Sequence, residues 1–179
     1  MTTLDERTYN KVLDLCRSKQ KDYSLKVSRR KKEAKRRAAD ILGAYIISGD
    51  VIDLGGESYY KSMFKEKGIN LTQVNLPDDI HDIKAENEYD GALAMHVLEH
   101  SPFPMYLLEV IRTAVKPGGY VYIAVPYPRD KWLKHEGHFT PLHPIAWKKI
   151  LLDMGFEVCM SEKGPFGSKS DESRVLCRI

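Results

Sequence analysis

Cysteine is scarce. Cys16, Cys159 and Cys177 are all that 179 residues contain, and an odd number without a C-x-x-C spacing excludes a disulfide framework and a cysteine-based structural zinc site. Long apolar runs are also missing. None reaches the roughly 18 to 20 residues that a membrane-crossing helix needs, and the polar start, residues 1–11, lacks the apolar core of a secretory leader. The expectation is a cytoplasmic protein with no membrane contact. No internal repeat occurs, which excludes a solenoid, and no biased segment occurs beyond one basic run.

Hydrophobic residues make up 42% and charged residues 30%, the balance of a globular chain of about one domain. The net charge of +3 is unevenly spread. Residues 1–50 hold 13 Lys and Arg against 7 Asp and Glu, and the rest of the chain is acidic. Eight of those cations lie between Lys26 and Arg37. Such a run would grip nucleic acid or another polyanion through charge; the plainer reading is a solvated helix face. No aromatic-interleaved basic patch or base-reading module accompanies it.

Apolar spacing predicts helices over 4–18 and 23–47. After Asp50 short apolar runs alternate with helical stretches. Strands are expected at 51–54, 71–76, 91–96 and 120–125, then at 156–162 and 174–179, with helices at 58–67, 105–115 and 144–154. That alternation implies an α/β fold, a doubly wound and mostly parallel sheet ending in an antiparallel hairpin. The chain divides as a basic helical extension, 1–39, and a sheet domain, 40–179.

In such a sheet a ligand sits beyond the carboxyl ends of the strands, where strand order reverses. The first strand ends in Asp53-Leu54-Gly55-Gly56-Glu57. This is an acid followed by two glycines that let a ligand approach the backbone, and equally a plain strand-to-helix turn. The third strand ends in His96-Val97-Leu98-Glu99-His100, and Lys-Pro-Gly-Gly precedes the fourth.

In this order, VIDLGG, then YDGALAMHVLEHSPFPMYLLEVIRTAVKPGGYVYIAVPYP, then GHFTPLHPIAWKKILLDMGFEV resemble the small class I S-adenosylmethionine-dependent methyltransferases of the ubiquinone-biosynthesis-like group. The resemblance covers about residues 40–179 and implies a seven-strand Rossmann-like sheet, S-adenosyl-L-methionine as cofactor and a methyl acceptor it does not name. It also implies a cofactor site of Asp53, Gly55, Gly56, Glu57, Asn75, Asp82, Ile83, His96 and Val97. Asp53 would order the turn and meet the methionine amine. Asp82 and Ile83 would hold the adenine.

Departures from the family pattern are visible. Glu57 and Tyr59 stand where it usually has glycines, and Asn75 replaces the acid that binds the ribose. Only 15 residues separate Asn75 from Asp90, too few for the usual helix and strand. These changes keep open a non-catalytic binding or assembly module.

For the chemistry, His138 is the expected base and His100 the second candidate, since an oxygen or carbon acid needs a proton acceptor near neutral pKa. Each is equally a loop-bracing histidine. The H-x-x-E-H spelling at 96–100 also matches a zinc-protease signature, but that needs one continuous helix, and a strand end is expected there. No metal is expected.

Overall fold

The computed structural model describes residues 11, 14, 29–46, 48–56, 58–74, 83, 85–166 and 170–179. Lys11 and Asp14, the two described residues of the expected 4–18 helix, are helical. Helix α1 spans Arg29–Tyr45, and strand β1 spans Gly49–Leu54. A 3-10 turn, Ser58–Tyr60, leads into the short α2, Lys61–Lys65, and then β2, Ile69–Val74. Strand β3, Tyr89–Met95, is followed by a second 3-10 turn, Leu98–His100, and by α3, Pro104–Ala114. The chain closes with β4, Val115–Pro126; α4, Asp130–Leu133; α5, Pro144–Asp153; β5, Glu157–Phe166; and β6, Ser170–Arg178.

The six strands form one sheet in the order β2-β1-β3-β4-β6-β5. The first four run parallel, and β6 is antiparallel to both of its neighbours. Strand order reverses between β1 and β3, the point at which α/β sheets bind ligands. The seven strands implied by the resemblance are six among the described residues, and β2 stands at the edge.

Side chains alternate across a strand, so the central strands feed two cores. Ile52 and Leu54, Ala92 and Ala94, and Val121 and Ile123 join Leu107, Ile111, Trp147 and Leu151 on the α3 and α5 side. Val51, Leu93, Met95, Tyr122 and Ala124 pack on the other side with Ala38, Leu42, Tyr60 and Phe64. Both faces are apolar because both are covered, the mark of a parallel sheet.

Helix α1 follows the same logic. Ala34, Ala38, Ala39, Ile41 and Leu42 are buried, while Lys32, Glu33, Arg36 and Asp40 are exposed. The boundary expected at residue 39 therefore falls inside one continuous helix that belongs to the second core. Leu42 is fully buried there. Leu42→Ala is expected to lower the unfolding free energy by about 2–5 kcal/mol, the usual cost of emptying a buried leucine site. Urea unfolding followed by far-UV circular dichroism measures it; a loss under about 0.5 kcal/mol, the size of a surface change, would make α1 a detachable appendage.

Candidate functional site

Asp53 closes β1 on the α1 side of the sheet, the side its place in the alternation dictates. Its side chain is fully buried. Tyr60 Oη donates to Asp53 Oδ2 at 2.7 Å and Gln73 Nε2 donates to the same oxygen at 3.0 Å. Gln73 is the register partner of Asp53 on β2. The other oxygen, Oδ1, accepts no hydrogen bond among the described residues. Lys35, 8% exposed on α1, holds its ammonium 4.2 Å from the centre of the Tyr60 ring. Burial pushes the Asp53 carboxyl above its ordinary range, against the lowering effects of Lys35, Gln73, Tyr60 and Lys61.

The two glycines that follow suit this arrangement. Gly55 has φ +72°, the left-handed region. A Cβ on Gly56 would collide with Asp53 Oδ2 and lie 2.6 Å from Gln73 Nε2. The bare backbone at Gly56 thus lets Asp53 and Gln73 fold under the turn. Tyr59 stacks edge-on against Tyr60 with ring centres 5.1 Å apart.

The second half of the site begins where β3 ends. His96 leaves the strand with φ +57°, a conformation uncommon outside glycine. Its Nε2 is 2.8 Å from Glu172 Oε2 on β6, and its Nδ1 is 3.3 Å from Glu99 Oε1. The second contact has ion-pair distance without hydrogen-bond alignment, so neither Glu99 oxygen accepts a hydrogen bond among the described residues. Yet Glu99 is 1% exposed. Burial pushes its carboxyl up, but His96 and the charge of His100 outweigh that and hold it below the ordinary range. Burial likewise pushes His96 down, and its two carboxylate partners more than reverse this.

The loop after β4 closes over this turn. Phe139 N and Thr140 N both donate to the Glu99 carbonyl, at 2.8 and 3.2 Å. Thr140 Oγ1 lies 2.9 and 3.0 Å from the carbonyls of Leu98 and Ser101. The lacing brings His138 against His100, with ring centres 4.8 Å apart, and against His135 at 4.5 Å. His100 Nδ1 is 2.7 Å from the Gly137 carbonyl. A carbonyl only accepts, so Nδ1 carries a proton and, in the neutral ring, Nε2 has the lone pair. That lone pair lies 3.9 Å from Glu99 Oε1. Burial pushes the His138 imidazole down to about 4, opposed by Glu99 and reinforced by His100, His135 and His96.

The zinc-protease geometry is not realised, since His96 stands in left-handed backbone before a three-residue 3-10 turn and shares no helix face with His100. A different trio comes together. Glu99, His100 and His138 each place one candidate ligand atom within 4.8 Å of the others, a spacing that a cation could bridge.

Of the residues expected from sequence, Asp53, Gly55 and Gly56 meet at the end of β1, and His96 starts the neighbouring turn. Val97 is buried in the first core and Ile83 packs against it. Glu57, Asn75 and Asp82 lie outside the described residues, as do residues 26–28 of the basic run. Sequence reasoning missed Lys35, Tyr60 and Gln73 around Asp53, and Glu172 and Arg174 beyond His96. Gln73 carried a readable signal, a polar residue in a strand that alternates beside an acid. The basic run itself has divided roles: Lys35 is buried, Arg29 pairs with Glu33 and Arg37 with Glu162, and Lys32 and Arg36 are exposed.

Residues 12–160 match the family described as "Methyltransferase domain". The chain belongs to this methyltransferase-domain family. Curated relatives of this methyltransferase-domain chain include the ubiquinone biosynthesis O-methyltransferases of Aeromonas salmonicida (strain A449), 36% identical over 59 residues, and Paraburkholderia xenovorans (strain LB400), 32% identical over 59. Each stretch is 33% of this chain and 25% of the relative, so the match spans about a quarter of their length. The fold is similar to the Burkholderia thailandensis 1,6-didemethyltoxoflavin-N1-methyltransferase solved with its acceptor and S-adenosylhomocysteine. The TM-score is 0.75 at 19% identity, covering 99% of this chain and 92% of that one. It is also similar to the N-methyltransferase NodS of Bradyrhizobium japonicum WM9 with S-adenosylhomocysteine, at TM-score 0.64 and 12% identity, covering 92% and 96%. These likenesses establish the Rossmann-like fold of the methyltransferase domain.

The depressed His138 gives a stability signature. Unfolded, its imidazole titrates near 6.5; folded, near 4. Between those values the unfolded chain binds a proton that the folded chain refuses, so stability is full above about pH 6.5 and falls as pH drops toward 4. Against His138→Gln, the wild type should lose on the order of 2 kcal/mol more over this window, allowing for partial solvent screening of a half-buried ring. Urea midpoints at pH 7 and pH 4.5 measure it; parallel losses in the two proteins would refute the assignment.

Proposed function

We propose that the chain binds S-adenosyl-L-methionine and transfers its methyl group to a proton-bearing acceptor, a hydroxyl in the first place. One observation carries the cofactor half. Among the described residues, Asp53 presents a fully buried carboxylate oxygen without a donor beside a glycine turn, at the switch point of a methyltransferase-family sheet. The ammonium of a methionine moiety is the kind of donor that a buried carboxylate oxygen requires. Asp53, Gly55 and Gly56 would hold that end, with Lys35 available to its carboxylate and Ile83 to the adenine. Asn75, Asp82 and Glu57 keep the roles expected for them from sequence.

The cofactor supplies an electrophilic methyl carbon, whose displacement is in-line. The protein's part is to align the nucleophile and take its proton. His100 suits the second task better than His138, reversing the order expected from sequence. Its Nε2 holds a lone pair fixed by the Nδ1 to Gly137 hydrogen bond, and the Glu99 carboxylate stands beside that nitrogen to stabilise the imidazolium once it forms. His138, with a pKa of about 4, stays neutral but accepts protons poorly at neutral pH. It lines the same cluster. The identity of the two curated relatives as O-methyltransferases supports an oxygen acceptor.

Calorimetric titration of the whole chain with S-adenosylmethionine and with S-adenosylhomocysteine should show micromolar binding of both. Asp53→Asn should weaken it tenfold or more, about 1.4 kcal/mol, with the fold intact by circular dichroism. A folded wild type that binds neither overturns the reading and favours a non-catalytic module. Transfer of radiolabelled methyl to a panel of phenols and amines then selects the acceptor, and His100→Ala should slow transfer to a hydroxyl by about a hundredfold or more.

A further inference from the structure

A line of charges crosses the covered face of the sheet and ends at the histidine cluster. Arg37 on α1 pairs with Glu162 on β5 at 3.3 Å, and Glu162 with Arg174 on β6 at 3.2 Å. Arg174 Nε donates to Glu172 Oε1 at 2.6 Å, and the other oxygen of Glu172 meets His96 Nε2 at 2.8 Å. Glu162, Arg174 and Glu172 share one face because the register places Glu162 opposite Arg174 and alternation returns Glu172 to the same side. Glu172 is fully buried, and both of its oxygens are occupied.

The end of this line has a specific consequence. His96 is gripped on Nε2 by Glu172, and this sets its ring so that Nδ1 faces Glu99 Oε1 at 3.3 Å. Glu99 stands between two imidazoles, with His100 Nε2 at 3.9 Å on the other side. A buried carboxylate without a donor takes the nearest N–H it can reach. Left unrestrained, Glu99 would close on His100 and draw the proton to Nε2, the tautomer that cannot accept one from an acceptor.

We propose that Glu172 is a positioning residue which, by pinning His96 against Glu99, keeps Glu99 from capturing His100 and so preserves the Nε2 lone pair of His100. The inference deepens the methyl-transfer reading and rests on it for the importance of that lone pair. It also ties the active tautomer to strand β6 and, through Arg174 and Glu162, to helix α1.

Long-range proton–nitrogen NMR of the histidine side chains reads the tautomer directly, in the whole chain and without an acceptor. The wild type should show His100 mostly protonated on Nδ1. In Glu172→Gln and in His96→Asn, the Nε2-protonated share should rise at least several-fold, to about half or more. Asp40→Asn, a change to an exposed α1 residue outside the line, should leave it unchanged. A folded variant whose His100 keeps the wild-type pattern overturns the proposal, and so does failure of both variants to fold, which would make the line purely structural. Binding of S-adenosylhomocysteine is measured on the same samples. Wild-type protein that fails to bind while the tautomer coupling holds sinks the methyl-transfer reading alone; binding without coupling sinks this one alone.

Discussion

The period of two along the central strands governs everything beyond the core. Strands β1, β3, β4 and β6 are apolar on both faces, so each face must be covered, and α1 with α2 covers one of them. The carboxyl ends of the parallel strands, and the amino end of antiparallel β6 that adjoins them, carry the polar groups. Asp53 falls on the α1 face with Val51, and Glu172 and Arg174 fall there with Leu176. A helix that packs on this face to bury leucine and alanine necessarily lies beside those charges. Lys35 and Arg37 follow from that, because they are the cations that α1 presents toward the carboxyl ends of the sheet.

Burying such charges is costly. Removing one partner of a buried pair typically costs about 3–5 kcal/mol, and a well-packed apolar replacement is often no less stable than the pair itself. Glu172 is compensated on both oxygens. Asp53 and Glu99 are each left with oxygens that accept no hydrogen bond among the described residues. The contrast separates the two kinds of buried acid in this fold. Glu172 is finished by the protein and acts on its neighbours; Asp53 is the group that the proposed cofactor would complete, and Glu99 stands between two imidazoles.

Most strands and helices were legible in the chain, because short apolar runs bounded by Gly, Pro and Asp state their own ends. Strand β4 extends back to Val115, through the Lys-Pro-Gly-Gly segment that precedes the strand expected at 120–125, since the residues beside it still pair with β3 and β6. Helix α1 was legible as a helix but not as part of the core. Its charge run dominates the composition, while the burial is carried by three alanines, Ile41 and Leu42, which give only a weak signal. The glycine turn and the 96–100 segment were found from their order along the chain. The partners of Asp53 and His96 were not, for they arrive from residues 7, 18, 20 and 76 positions away, brought near by strand register, by the turn after β1 and by the packing of α1.

The ranking of the two histidines shows the same limit at the level of chemistry. Both stand in loops beside the same carboxylate, and sequence offers no reason beyond loop position to separate them. Geometry separates them through one carbonyl. Gly137 accepts from His100 Nδ1 and thereby decides which nitrogen keeps its lone pair, whereas burial among other imidazoles makes His138 a poor base. The loop that supplies Gly137 is held by its hydrogen bonds to Leu98, Glu99 and Ser101. On the proposed reading the proton-accepting atom is set from two sides, by the loop after β4 through Nδ1 and by β6 through Glu99. Helix α1 reaches both ends, through Lys35 over the Tyr60 partner of Asp53 and through Arg37 on Glu162, so the proposed cofactor end and the proposed proton-transfer end share that helix as well as the sheet.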